Sequence, residues 1–301
     1  MSGPPSLLGI YTRAILGAVT KSNKRIPESL TTVEGIASEW FSFSIDEAHV
    51  EQFKQVVGGA SNPGVPISYL QCYLNAMPMN MLTARNFPLN VLGSVHESSS
   101  IESHKNVSLV SKLTATSNMN SAVLLSNKKD WLFKHVTTVT DDEADGEVVM
   151  TLTNEFRVLN PERNKVKVEG GKPASVSYDA ESGWSKVGAW DYPVDTGRSY
   201  AGLNGDINPI HLFPITAKLF GYKSCISHGM YSVCKLMAEG EGVASAVQSS
   251  GGKMKISARF TRPTFLPAEV EAWKNGSGEF VFGVRDKEGV LKETVKGLIT
   301  M

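Results

Sequence analysis

The sequence predicts an α+β fold in which one plan is laid down twice: a helix, a turn, a second helix, then a run of antiparallel strands. Three observations predict it. Two stretches with helical spacing, IDEAHVEQFKQVV (45–57) and YPVDTGRSYAGLNG (192–205), each run into a Gly/Asn/Pro cluster. A second apolar helix follows each cluster, and β-rich runs follow that helix, from about 88 to 157 and from 253 to the end. The two clusters can also be laid side by side. Gly59-Ala60-Ser61-Asn62-Pro63-Gly64-Val65 matches Gly205-Asp206-Ile207-Asn208-Pro209-Ile210-His211 at Gly, Asn and Pro. The length, 301 residues, is about twice a typical domain of roughly 150. Helices packed on a curved antiparallel sheet suit this order.

Each element has its own signal. The first residues, up to Pro27, are acid-free and carry Arg13, Lys21, Lys24 and Arg25. They fit a weak presequence, but Leu8, Tyr11, Ile15 and Val19 at helical spacing favour an opening amphipathic helix. Residues 34–57 hold a helical pattern after Trp40, with Ser44 or Asp46 as cap. The apolar run ISYLQCYLNAMPMNML (67–82) is a helix that Pro78 ends or kinks. VSLVSKLTATS, SAVLLSN, WLFKHVTTVTDD and EVVMTLTNEFRVL are strands. Residues 161–188, polar and poor in bulky apolar groups, read as a linker or excursion between units 1–160 and 189–301. In the second unit Gly221 stops a helix, GMYSVCKLMAEG is the next helix, and strands follow in KMKISARFTRPTFL, EVEAWKN, EFVFGVRD and VLKETVKGLITM.

Composition narrows the function. Basic and acidic residues balance at 30 each, which argues against nucleic acid or a membrane surface as the main partner. Three cysteines without metal spacing read as thiols in a reducing compartment, and no apolar run is long enough to span a bilayer. The expected location is cytoplasm or an organelle matrix, mitochondrial or peroxisomal, although LITM is no peroxisomal address. No Gly-rich phosphate loop or nucleophile elbow occurs, and His211 and His228 lack a third partner at metal-ligand spacing, so neither metal nor cofactor is expected.

The chemistry concentrates between residues 206 and 229. Asp206 and His211 flank an Asn-Pro turn that lets a carboxylate and an imidazole converge on one water. Asn208 can bind that water or lock the loop. Gly229, at a helix start, offers a backbone N–H that a polarised carbonyl oxygen can approach closely. An acid, a base and an oxyanion donor together are the parts for adding or removing water across a double bond.

These residues carry a resemblance. YAGLNGDINPIHLFPITA resembles the signature of the MaoC-like and (R)-specific enoyl-CoA hydratases, matching at Tyr200, Leu203, Gly205, Asp206, Asn208, Pro209, Ile210, His211 and Ala217. Asn204 departs from it, standing where a small residue is usual. SHGM, KISARFTRPTFLP, GIYTRAILG and FPLNVLGSVHESSSIE extend the resemblance over nearly the whole chain. It implies a double hotdog, each half a long helix wrapped by a curved antiparallel sheet. It implies that Asp206 and His211 activate water, that Gly229 binds the thioester oxygen and that Phe260 lines the site. It implies a substrate carried on CoA or an acyl carrier, hydrated to the (R)-3-hydroxyacyl thioester or dehydrated in reverse. The first half, lacking the pair, would accommodate the acyl tail. A monomer and a homodimer both suit a duplicated hotdog. The competing readings are a non-catalytic module that binds acyl thioesters and a hotdog thioesterase.

The other candidates read as structural. His228 reads as a satisfied histidine at a helix start, His96 as a strand-edge group, and His49, His104 and His135 as surface groups. Met77, Met79 and Met81 read as core or pocket lining. Lys255, Arg259 and Arg262 are candidate cations for the carrier.

Overall fold

A computed structural model describes residues 9–10, 12–14, 16, 39–87, 89–91, 94–124, 130–158 and 178–301. Most of the opening-helix pattern and residues 161–177 of the expected linker lie outside the described residues.

The first half begins with strand β1 (Glu39–Ser44), then helix α1 (Glu47–Val57), short helices α2 (Tyr69–Tyr73) and α3 (Ala76–Leu82), and strands β2 (Val95–Ser103), β3 (Lys112–Leu124), β4 (Trp131–Asp141) and β5 (Glu147–Val158). The second half repeats the order. It runs through β6 (Trp184–Tyr192), α4 (Thr196–Asn204), α5 (Pro209–Leu212), α6 (Pro214–Leu219), α7 (Gly229–Glu239), α8 (Val243–Ser249), β7 (Met254–Phe260), β8 (Ala268–Asn275), β9 (Glu279–Arg285) and β10 (Leu291–Thr300). The ten strands among the described residues form one sheet in the order β1-β3-β4-β5-β2-β7-β10-β9-β8-β6. Read from the two edges inward, the halves have the same connectivity. They join where β2 and β7 pair antiparallel, with Ser98 opposite Arg259 and Ile101 opposite Ile256. This is a double hotdog, and the Gly/Asn/Pro clusters occupy equivalent places after α1 and α4.

Sequence explains most local boundaries. Of the two candidate caps, Asp46 is the one used, its carboxylate accepting from the His49 N–H. Gly205 ends α4 in the left-handed region at φ 70°, where a glycine carries no Cβ penalty. Asn208 caps α5 through its side chain and Pro209 fills the first turn. Three expectations need correction. Residues 39–44 are a strand before the helix, because EWFSFS pairs with β3, placing Phe41 opposite Ala115 in the core. The apolar run 67–82 breaks at Leu74–Asn75 and not at Pro78. Pro78 sits in the first turn of α3, where its missing N–H would have no intrahelical acceptor. Finally, Trp184–Gly188, counted with the linker, already belong to β6 and pair with β8.

The core lies between the sheet and the helices. Helix α7 buries Met230, Val233, Cys234, Leu236 and Met237 at helical spacing and packs on α1, β6 and β10. Each such side chain contributes about 1.5–3 kcal/mol on burial, which anchors the helix whose first residue is Gly229. Among the described residues no helix is long and apolar enough to cross a membrane.

Candidate active site

The polar loop between α4 and α5 is built by short-range hydrogen bonds. The Asn204 side chain accepts the Asp206 N–H (2.8 Å), the Asp206 carboxylate accepts the Asn208 N–H (3.1 Å), and the Asn208 side chain accepts the Ile210 N–H (3.4 Å). Asn204, the departure from the resembled signature, thus fixes the backbone of the acid. Long-range contacts place the imidazole. His211 Nδ1 lies 2.9 Å from the Ile226 carbonyl, and the Ile226 N–H donates to the Ile210 carbonyl (3.0 Å). A carbonyl only accepts, so Nδ1 carries the proton and Nε2 presents a lone pair. Gly197 of α4 makes this packing possible, since a Cβ there would lie 2.1 Å from the His211 carbonyl oxygen.

The side chains converge on a cavity of about 260 Å³ lined by both halves. His211 Nε2 stands 3.9 Å from Asp206 Oδ2, and His228 Nε2 stands 3.5 Å from the same oxygen. The two imidazole rings stack, with centroids 3.7 Å apart and planes inclined by 23°. Burial acts to raise the Asp206 carboxyl. His228, His211 and the Asn208 N–H outweigh it and hold the group well below the usual carboxylate range. His211 is pushed down to about 3, first by burial and then by its neighbour His228. The resting site is therefore a carboxylate beside a neutral imidazole. Both accept hydrogen bonds, and a 3.9 Å gap is a spacing that one water can span at about 2.8 Å from each.

Gly229 faces the same cavity as the first residue of α7, where its N–H has no acceptor within the helix. Phe260 also lines it, packed so tightly on Gly229 that a Cβ at 229 would sit 2.2 Å from the ring. Gly229→Ala should therefore displace Phe260. We expect a loss of about 1–3 kcal/mol in stability, read as a lower thermal midpoint, together with reduced turnover. The first half supplies Asn75, Met79, Val95, His96 and Phe156 to the opposite wall.

All five residues singled out for this site, Asp206, His211, Asn208, Gly229 and Phe260, line this one cavity. Other readings change. His228 is not a satisfied structural histidine: it is 6% exposed and neither ring nitrogen has a hydrogen-bond partner. His96 lines the cavity, held by Asn154 (3.1 Å) and stacked on Phe156. His135 is fully buried, not a surface group. Of the three cations, Arg262 borders the cavity, while Arg259 pairs with Glu97 and Lys255 with Glu102. A larger groove of about 780 Å³ is lined by Lys255, Ser257, Ala258 and Arg259 among others, and its lining holds no acid–imidazole pair.

Asp206 also supplies the third partner that His211 and His228 lack in sequence, their ligand atoms all lying within 4.8 Å. The stack argues against shared metal ligation. Each lone pair lies in its own ring plane, and planes inclined by only 23° do not meet at the ~2.0 Å nitrogen–metal distance.

Residues 167–296 match the MaoC like domain. Along its length the chain is 27% identical to 3-hydroxyacyl-thioester dehydratase X of Mycobacterium tuberculosis, over 98% of this chain and 99% of that protein. Its fold is similar to the crystal structure of HtdX of Mycobacterium tuberculosis, with TM-score 0.68 and 21% identity over 87% of this chain and 99% of that one. It is also similar to a double-hotdog protein of the same organism, with TM-score 0.53 and 8% identity over 88% and 96% of the two chains. Residues 167–296 are thus a MaoC-like domain, set in a chain that is similar along its length to a 3-hydroxyacyl-thioester dehydratase and that has a double-hotdog fold.

Proposed function

We propose that this protein is a hydro-lyase that adds water to a trans-2-enoyl thioester, giving the (R)-3-hydroxyacyl thioester, or removes water in the reverse direction. The observation that carries the reading is the 3.9 Å gap between Asp206 Oδ2 and His211 Nε2, open to a cavity that also holds the Gly229 N–H. A water donating to both acceptors turns an oxygen lone pair toward the substrate Cβ. As the C–O bond forms, one water proton passes to the acid–base pair, and the π electrons move to an enolate whose oxygen is held by the Gly229 N–H. The same proton returns to Cα. Because one pair handles it on one side of the substrate, addition is syn. Asn208 keeps the loop closed, and Phe260 packs beside the thioester. Met79, Val95 and Phe156 receive the acyl chain, and Arg262 stands where a phosphorylated carrier arm would emerge.

The similarity to a 3-hydroxyacyl-thioester dehydratase supports this substrate class. The purified chain with crotonyl-CoA should bleach the enoyl absorbance and form the (R)-alcohol by chiral chromatography. Release of free CoA would instead mark a thioesterase, and binding without turnover a non-catalytic module.

A further inference from the structure

We infer that His228 is a positioning residue for Asp206, directing an Nε2–H at the carboxylate and setting, through its stack on His211, the spacing of the acid–base pair. The inference rests on the reading of Asp206 and His211 as the groups that handle the water. Three observations carry it. His228 Nε2 is nearer to Asp206 Oδ2 than His211 Nε2 is, at 3.5 against 3.9 Å. His228 is buried, and neither nitrogen is satisfied in the resting structure. At 3.5 Å the contact is at the outer limit of a hydrogen bond, and such contacts tighten when a site fills. A buried imidazole N–H without an acceptor is unfavourable, so the contact with Asp206 has a driving force to close. Third, the ring is clamped between His211 (3.7 Å) and Tyr200 (5.3 Å), which limits its rotation.

Other polar and titratable groups face the ring. Around His228 stand Asp206 on the loop, His211 on α5, Tyr200 on α4 and His96 on β2, with Cys234 behind Tyr200. Asp206 is the carboxylate of this set. A proton on His228 Nε2 gives Asp206 a donor, while His211 Nε2 keeps its lone pair for the water. That donor favours the ionised carboxylate, and His228 also holds His211 down, so removing it should raise the pH below which the Asp206–His211 pair takes up protons.

The test is a set of three substitutions in the full chain, assayed for crotonyl-CoA hydration across pH. His228→Gln keeps an N–H where Nε2 stands, His228→Asn keeps one too close to the backbone to reach Asp206, and His228→Leu keeps only bulk. We expect His228→Leu to lower kcat roughly 10- to 100-fold with KM little changed, and to move the acid limb of kcat to higher pH. His228→Gln should recover most of the rate and His228→Asn should not. Equal losses in all three variants, or an unmoved acid limb, would overturn the positioning role. If His228→Leu does not fold, the Gln and Asn variants still decide, because they share chemistry and differ in reach. A wild-type chain without hydration activity, or one indifferent to Asp206→Asn, would sink the underlying reading instead. An active, Asp206-dependent wild type with an unaffected His228→Leu variant would sink only this one.

Discussion

Asp206→Asn and His211→Ala are each expected to lower the hydration rate roughly 10²- to 10⁴-fold, the usual contribution of a positioned acid or base. The asparagine keeps an oxygen for the Asn208 N–H, which the carboxylate accepts at 3.1 Å, so the loop should hold its shape. It cannot take a proton, and it offers the bridging water a weaker acceptor. His211→Ala removes Nε2 and the Nδ1 bond to the Ile226 carbonyl, so a moderate loss of stability should accompany its rate loss. Initial rates with crotonyl-CoA, alongside circular dichroism, separate chemistry from folding. Full rates in both variants would contradict the proposed roles.

Gly197→Ala is expected to damage the site from behind. Its Cβ would lie 2.1 Å from the His211 carbonyl oxygen and 3.2 Å from that of Ile226, both backbone atoms. Neither can swing away as a side-chain end would. The segments carrying His211 and Ile226 must separate from α4, with a stability loss of about 1–3 kcal/mol. A displacement of about 1 Å at His211 lowers the rate roughly 10²-fold. Gly202, on the same helix, provides the control: nothing lies within 4 Å of its Cβ position, and it is exposed. Gly202→Ala should leave the rate unchanged and stabilise α4 by about 0.4–1 kcal/mol. Equal behaviour of the two variants in thermal melts and assays would contradict the packing argument.

Much of this was legible because it is local. Asp46 capping α1, Gly205 closing α4 and Pro209 opening α5 all act within a few residues. So does the placing of Asp206 and His211 on one bend. The strand at 39–44 was obscured because the six residues EWFSFS make sense only against β3, about seventy positions away. His228 is seventeen residues from His211 in the chain, and no spacing rule links them; their stack exists because Ile226 pairs with Ile210 and draws the two segments together. His96 and Phe156 reach the cavity only because β2 crosses over to pair with β7.

By itself the sequence determined the duplicated α+β plan, the caps and turns, and which loop carries an acid and an imidazole. Hydrophobic period and backbone preference operate over a few residues, and those are written in order along the chain. The tertiary structure alone decided the 3.9 Å gap, the stacked second histidine and a cavity walled by both halves. Those distances are set by the packing of side chains far apart in sequence, where one Cβ, as at Gly197 or Gly229, is enough to move the result.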